Sequence, residues 1–299
     1  MTLALRGILA PVTTPFAQNG ELDRSAFEQN VRTHMQHGLS GVVVTGSTGE
    51  AALLDERERE FLVEWARPLV SGDRALLAGV GAESTRATVG RAKHAADRGA
   101  DAVLVVAPHY FGSAMTDAAL RAHYLRVADE SPVPVVLYNI PKYMHFKIAP
   151  SLVAELARHE NVVGIKDSSG ERDLLTAYLP AQSDSFTVIT GSGQLWRTAL
   201  AMGARAGILA VSLFAPSLAK SVAEAVARGD GRSADAVQDR LTPLAKVIVG
   251  EMGIAGVKAA LDHVGLRGGA PRSPLLPLGR ADLERMRQLL EDADLSAAA

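Results

Sequence analysis

A lysine at position 166 is the residue in this sequence best placed to do chemistry. Val162-Val163-Gly164-Ile165 runs straight into Lys166, and Asp167-Ser168-Ser169-Gly170 follows. Small and apolar residues ending in a polar turn read as a short buried strand with the lysine at its C-terminal end. Between Val163 and Ile165 an amine meets surroundings that disfavour the ammonium form through desolvation. A neutral amine is a nucleophile that attacks carbonyl carbons and condenses to a Schiff base. Two blander fates are open to it: the side chain snorkels into water, or it pairs with Asp167.

Other groups suit the same chemistry. Tyr138 ends the apolar run Val133–Tyr138, so its hydroxyl needs a partner. Beside a nucleophilic lysine, a phenol can give and take protons. A free phenol titrates near ~10, so that task calls for a shifted pKa or a relay of hydroxyls, for which Ser47 and Tyr110 are candidates. Gly46-Ser47-Thr48-Gly49-Glu50 sets two hydroxyls between glycines. Such a turn aims successive N–H groups at an anion, or it only caps the next helix. Gly191-Ser192-Gly193 stands where many barrels hold a phosphate, yet no cation follows until Arg197. His34 and His37 share a helix with no histidine or acidic partner near them, and His94, His123 and His159 read as surface helix positions, so no metal site is expected. The chain has no cysteine, which excludes disulfides, thiolate catalysis and cysteine-ligated zinc together.

These groups need a frame that brings strand ends together. Short β-branched runs alternate with helical patterns along most of the chain. They predict strands at Gly7–Val12, Gly41–Thr45, Ala75–Gly79, Ala102–Ala107, Val133–Tyr138, Val162–Lys166, Phe186–Thr190 and Gly207–Val211. Each gap holds one crossover helix and two short loops. Asp23 is placed to cap a helix carrying Phe27, Val31 and Met35. Asp55 with Glu58 forms a capping-box pattern before Phe61, Leu62, Trp65 and Leu69, the expected buried face. The charged stretch Asp55–Arg59 reads as a solvated helix start. Ser84 and Thr116 start two further helices, and another from about Ser192 carries Leu195, Ala199 and Met202. Gly38, Gly99 and Gly203 each stand between a helix and a following strand, the place for a left-handed residue.

Apolar rather than alternating strands in βα units predict an α/β fold, a closed (β/α)8 TIM barrel. The other arrangement is an open doubly wound sheet, but Thr13-Thr14-Pro15 stands where its glycine-rich fingerprint belongs. After Val211 only helices are expected, at about 217–228, 233–249, 253–264 and 281–292. The division is a barrel over 1–229 and a C-terminal helical extension over 230–299, with Ser296–Ala299 expected to fray. In a barrel the residues after each strand share one rim. That rim gathers Thr13 and Thr14, Gly46–Glu50, Pro108-His109-Tyr110-Phe111, Tyr138–Pro141, Lys166 and Gly191–Gly193.

Composition sets outer limits. A chain of 299 residues, 47% hydrophobic, buries a large core. A net charge of −2 gives no basic surplus for nucleic acid or an anionic membrane. The longest apolar run, near Ala206–Ala215, is too short to span a bilayer. Met1–Val12 has a faint signal-peptide look, but Pro11 and Pro15 and the lack of a cleavage site favour a first strand. The expected setting is soluble and cytoplasmic.

Gly46-Ser47-Thr48-Gly49-Glu50, Tyr138-Asn139-Ile140-Pro141 and Gly164-Ile165-Lys166 together resemble the dihydrodipicolinate synthase/N-acetylneuraminate lyase family of class I aldolases, in order and spacing. The resemblance runs from Gly7 to about Val211, and the helical tail suits it. It implies that Lys166 forms an imine with the keto carbon of pyruvate or another 2-oxo acid, while Tyr138 shuttles protons. It implies that Ser47 and Thr48, with backbone amides of the turn including Gly49, hold the substrate carboxylate. Ser47 would also join Tyr138 in a hydroxyl relay. Tyr110 would reach into a neighbouring subunit's site, and Gly191 and Ile208 would line the pocket. It further implies a homotetramer built as a dimer of dimers, with Tyr110 shared across the tight interface, and no metal or organic cofactor.

Departures from the family pattern bear on the substrate. Dihydrodipicolinate synthases carry an arginine two residues after the proline of Tyr-Asn-x-Pro, and here Tyr143 stands there. A tyrosine gives no bidentate charged clamp, and Lys142 next to it is expected to point elsewhere. His109-Tyr110 replaces a pair of tyrosines, and Phe111 an asparagine. Glu83 and Glu56 replace residues of the family's lysine feedback site, so no lysine inhibition is expected. Lys166-Asp-Ser-Ser and Gly191-Ser-Gly193 look more like members that cleave 4-hydroxy-2-oxo acids or 2-keto-3-deoxy sugar acids. Tyr143-Met144-His145-Phe146 suggests a bulkier or less charged acceptor. The expected activity is a Schiff-base lyase acting on a 2-oxo acid. The alternatives are a 4-hydroxy-tetrahydrodipicolinate synthase, a metal-dependent aldolase and a non-catalytic barrel that binds a sugar acid.

Overall fold

The computed structural model describes residues 5–295; the expected fraying of Ser296–Ala299 and the first four residues of the Met1–Val12 stretch lie outside them. Eight parallel strands form a closed barrel in chain order. They are β1 (Gly7–Pro11), β2 (Gly41–Val44), β3 (Ala75–Gly79), β4 (Ala102–Val106), β5 (Val135–Asn139), β6 (Val162–Asp167), β7 (Thr187–Thr190) and β8 (Ala206–Ile208). β8 pairs back onto β1, with Ile8 opposite Gly207, and so removes both sheet edges. Almost every strand residue is buried, because side chains fill the barrel on one face and helices cover the other.

The helices start where their caps predict. Asp23, Ser84 and Thr116 accept from the backbone N–H groups of Ala26, Ala87 and Ala119, at the heads of α1 (Arg24–Gln36), α3 (Thr85–Asp97) and α4 (Asp117–Glu130). Asp55 and Glu58 close a full capping box on α2 (Glu56–Ala66). Gly38, Gly99 and Gly203 have φ of 73°, 92° and 100°, each ending a helix before a strand. The outer ring continues through the one-turn α5 (Pro141–Met144), α6 (Pro150–Leu156), α7 (Arg172–Tyr178), α8 (Trp196–Ala201) and α9 (Pro216–Ala227), which packs against α8 and β1.

Some expectations change in detail. On α2 the buried residues are Leu62, Val63 and Ala66, whereas Phe61 and Trp65 are half-buried and stack at 5.5 Å. In the Asp55–Arg59 stretch Asp55, Glu56 and Arg57 are exposed, as a solvated helix start requires, whereas Glu58 and Arg59 are half-buried. Arg272 binds Glu58 through both carboxylate oxygens, at 2.6 and 2.7 Å, and burial pushes the Arg59 guanidinium down to about 10. His123 is buried rather than on the surface, with Nδ1 2.9 Å from Thr85 Oγ1.

The expected helix over 233–249 is two elements. α10 (Gly231–Pro243) gives way to a π-helix over Leu244–Glu251. Pro243 has no N–H for the α-helical ladder, and the wider turn begins directly after it. Then come α11 (Gly253–His263) and α12 (Arg280–Asp292). Among the described residues no helix is long and apolar enough to cross a membrane.

Candidate active site

Lys166 pairs in register with Tyr138 across β5 and β6. Paired residues project to the same face, and the Lys166 Nζ lies 4.1 Å from the centre of the Tyr138 ring. Both are buried, at 6% and 4% exposure, so this lysine does not snorkel. Nor does it pair with its neighbour, since strand alternation turns Asp167 the other way. The Asp167 carboxylate accepts from Asn139 Nδ2 and from Ser169 Oγ, both at 2.7 Å. Burial raises the Asp167 pKa, and these hydrogen bonds pull it back. Asn139 Oδ1 in turn accepts from the N–H of Ile148, so the β5 and β6 ends are fastened behind the lysine.

Room for the lysine comes from a glycine. A Cβ at Gly191 would fall 1.9 Å from Ser168 Oγ and 3.0 Å from Lys166 Cε. Across the same rim, β2 leads into Thr45 at φ 51°, a left-handed conformation rarely tolerated by a β-branched residue. Thr45 Oγ1 donates to the Gly79 carbonyl at 2.9 Å, and that side-chain bond helps to hold the turn. The 3₁₀ turn Ser47–Gly49 follows, with Thr14 Oγ1 donating to the Gly49 carbonyl at 2.7 Å.

These elements surround a cavity of about 220 Å³ at the C-terminal mouth of the barrel. Of the residues singled out from sequence, Ser47, Thr48, Tyr138, Tyr143, Lys166, Gly191 and Ile208 line it. Gly49 does not; it packs beneath the turn against Val12 and Thr14. Tyr110 also stays outside, 78% exposed, its ring edge-on to that of the exposed Phe111 at 5.0 Å. Glu83 holds this loop by accepting from the N–H groups of His109 and Tyr110, both at 2.9 Å.

Sequence reasoning missed several contributors. Lys142, expected to point elsewhere, lines the mouth and donates to the Gly250 carbonyl at 3.0 Å. Ser168, Ser192 and Gln194 add polar groups, and the π-helix and α11 supply an apolar wall of Ala245, Val249, Ile254 and Val257. Among the described residues no carboxylate side chain lines the cavity, whereas Lys166 and Lys142 bring two amines, a balance that suits an anionic ligand. Burial pushes the Tyr143 phenol up, and Tyr138 adds to that shift. Among the described residues, no group of three or more His, Asp or Glu side chains could hold a metal ion.

Residues 4–293 match the model of the Dihydrodipicolinate synthetase family. The chain belongs to this family. The 4-hydroxy-tetrahydrodipicolinate synthase of Xanthomonas axonopodis pv. citri is 37% identical over 292 residues, covering 97% of this chain and 95% of that protein. The dihydrodipicolinate synthase of Thermotoga maritima superposes with a TM-score of 0.92 at 31% identity, over 97% of this chain and 99% of its own. YagE of Escherichia coli K12, described as a prophage protein of the dihydrodipicolinic acid synthase family and solved with pyruvate, gives a TM-score of 0.92 at 26% identity, over 98% of this chain and all of its own. Membership in the Dihydrodipicolinate synthetase family makes this protein a carbon–carbon lyase of the Schiff-base aldolase type.

Proposed function

We propose that the protein makes or breaks the C3–C4 bond of a 4-hydroxy-2-oxo acid or a 2-keto-3-deoxy sugar acid, with pyruvate as the imine-bound half. The observation that carries this reading is the buried Lys166–Tyr138 pair facing a cavity with no carboxylate in its wall. The Lys166 amine adds to the C2 carbonyl, and loss of water leaves an iminium. Cleavage sends the C3–C4 electron pair into that iminium as a neutral enamine, while the 4-hydroxyl gives up its proton and the aldehyde departs. Protonation at C3 and hydrolysis then release pyruvate and the free amine. Tyr138 is placed to carry these protons, with Ser47 as its hydroxyl neighbour and Tyr110 of another subunit completing the relay.

Ser47, Thr48 and the backbone of their turn hold the 2-oxo acid's carboxylate. Lys142, Tyr143, Ser168 and Ser192 face the other half of the substrate, a set suited to hydroxyls. The assembly is a homotetramer in the cytoplasm, its tight interface formed around the exposed Tyr110 and Phe111.

A second reading, 4-hydroxy-tetrahydrodipicolinate synthase, is favoured by the names of relatives at 32–37% identity. Against it stands Tyr143, whose phenol lacks the charged fork of an arginine; Lys142 adds a cation, but only as a point charge. Two assays decide between them. Pyruvate release from 4-hydroxy-2-oxo acids and 2-keto-3-deoxy sugar acids is compared with condensation of pyruvate and aspartate semialdehyde. The first reading predicts that release dominates; a synthase rate about tenfold higher would replace it with the second.

A further inference from the structure

Glu50 follows directly on the turn that carries Ser47 and Thr48, and it is 2% exposed. A carboxylate at that depth needs partners, and both come from the C-terminal part of the chain. Lys258 of α11, with no exposed surface, sets its ammonium against Glu50 Oε1. The N–H of Arg272 donates to Oε2 at 2.8 Å. The Lys258 ammonium also donates to the Ala270 carbonyl at 3.0 Å and lies 4.6 Å from the centre of the Phe16 ring. Arg272 crosses the same ring at 4.1 Å and donates to the carbonyls of Gly20 and Leu53, at 2.6 and 2.8 Å. Glu50 itself stands at φ 59°, so its backbone is held in a conformation that a residue with a Cβ seldom adopts.

Neither Glu50 nor Lys258 reaches the cavity, yet each is next to something that does. Thr48 lies two residues before Glu50, and Val257 immediately precedes Lys258, one turn after Ile254. The pair therefore joins two walls of one cavity that come from opposite ends of the chain. Buried ion pairs add little to stability over apolar groups of the same shape. What this one imposes is a separation, because moving either wall strands a charge out of water.

We propose that Glu50 and Lys258 are positioning residues that fix the Ser47–Thr48 turn against α11, and so set where the substrate carboxylate lies relative to Lys166. The inference rests on the function proposed above, in which that turn holds the carboxylate. It separates placement from stability. In the double variant Glu50→Gln/Lys258→Met, the glutamine still accepts from the N–H of Arg272, methionine fills the lysine's volume, and both buried charges are removed together.

The experiment measures melting temperature and the pyruvate concentration that half-saturates borohydride trapping at Lys166. Each single variant is expected to melt lower. The double variant recovers most of the melting temperature, yet needs roughly tenfold more pyruvate, since small displacements of a binding group are costly, and its trapping plateau is retained. A double variant with wild-type half-saturation overturns the proposal and leaves the pair purely structural. Should the double variant fail to fold, Glu50→Asp decides in its place. It keeps the charge one methylene short, and a raised half-saturation supports the proposal while an unchanged one overturns it. Wild-type protein that traps no pyruvate takes down the proposed function and this inference together; wild-type trapping with an unshifted variant takes down this inference alone.

Discussion

A methyl group added at Gly191 would meet Ser168 Oγ at 1.9 Å and Lys166 Cε at 3.0 Å. The serine hydroxyl can rotate away, while Ser168 Cβ and the enclosed Lys166 stem, both at 3.0 Å, have to give by a few tenths of an ångström. Gly191→Ala is therefore expected to lower kcat/KM by about tenfold, with a much smaller loss of melting temperature. Steady-state kinetics beside a thermal melt checks this, and wild-type kcat/KM would show that the lysine tolerates the displacement. Lys166 and Tyr138 were legible in the sequence because each ends an apolar strand run with a reactive side chain, a local signal. Lys142 was not, since its direction is set by the single turn of α5 and by the Gly250 carbonyl far along the chain. Glu50 and Lys258 show the same limit: a buried charge pair made by tertiary contact leaves no periodicity to read.

Among the elements, strand positions follow from apolar runs and helix starts from capping residues, both local. The π-helix follows neither, because an α-helical ladder and a wider one share nearly the same apolar spacing; only Pro243 marks the break. The helices also bury two histidines whose neighbours in sequence do not announce it. Burial pushes the His34 imidazole of α1 down to about 3, with His37 adding to the shift, and that of His123 on α4 down to about 4. In the unfolded chain both titrate near ~6.5. Below that pH the unfolded state takes up protons that the folded state refuses. Stability is thus full above about pH 6.5 and falls as the pH drops toward 4, by about 1.4 kcal/mol per pH unit for each histidine. Urea unfolding between pH 7 and 4.5 reads this slope. His34→Leu is expected to flatten it by about one such increment, and an unchanged slope would mean that His34 takes up its proton in the folded state.

For the whole molecule, barrel closure was legible from the succession of βα units, and membership in the Dihydrodipicolinate synthetase family agrees with it. Which faces of the C-terminal helices close the cavity was not, because that depends on how the extension folds back over the barrel mouth. One chain leaves Tyr110 and Phe111 exposed and outside the cavity, as the shared-interface reading requires. Phe111→Asp places a charge in that exposed aromatic pair. It is expected to split the proposed tetramer in sedimentation experiments and to lower kcat, since in that assembly Tyr110 would no longer reach a partner's site; a dissociated protein with wild-type kcat would contradict this. The central claim is covalent and has a direct test. Pyruvate and borohydride are added to the intact protein, and the modified peptide is located by mass spectrometry. The account predicts a single adduct on Lys166, absent from Lys166→Ala, with loss of activity in step with labelling. An active protein that stays unlabelled, or one labelled at another lysine, would contradict it.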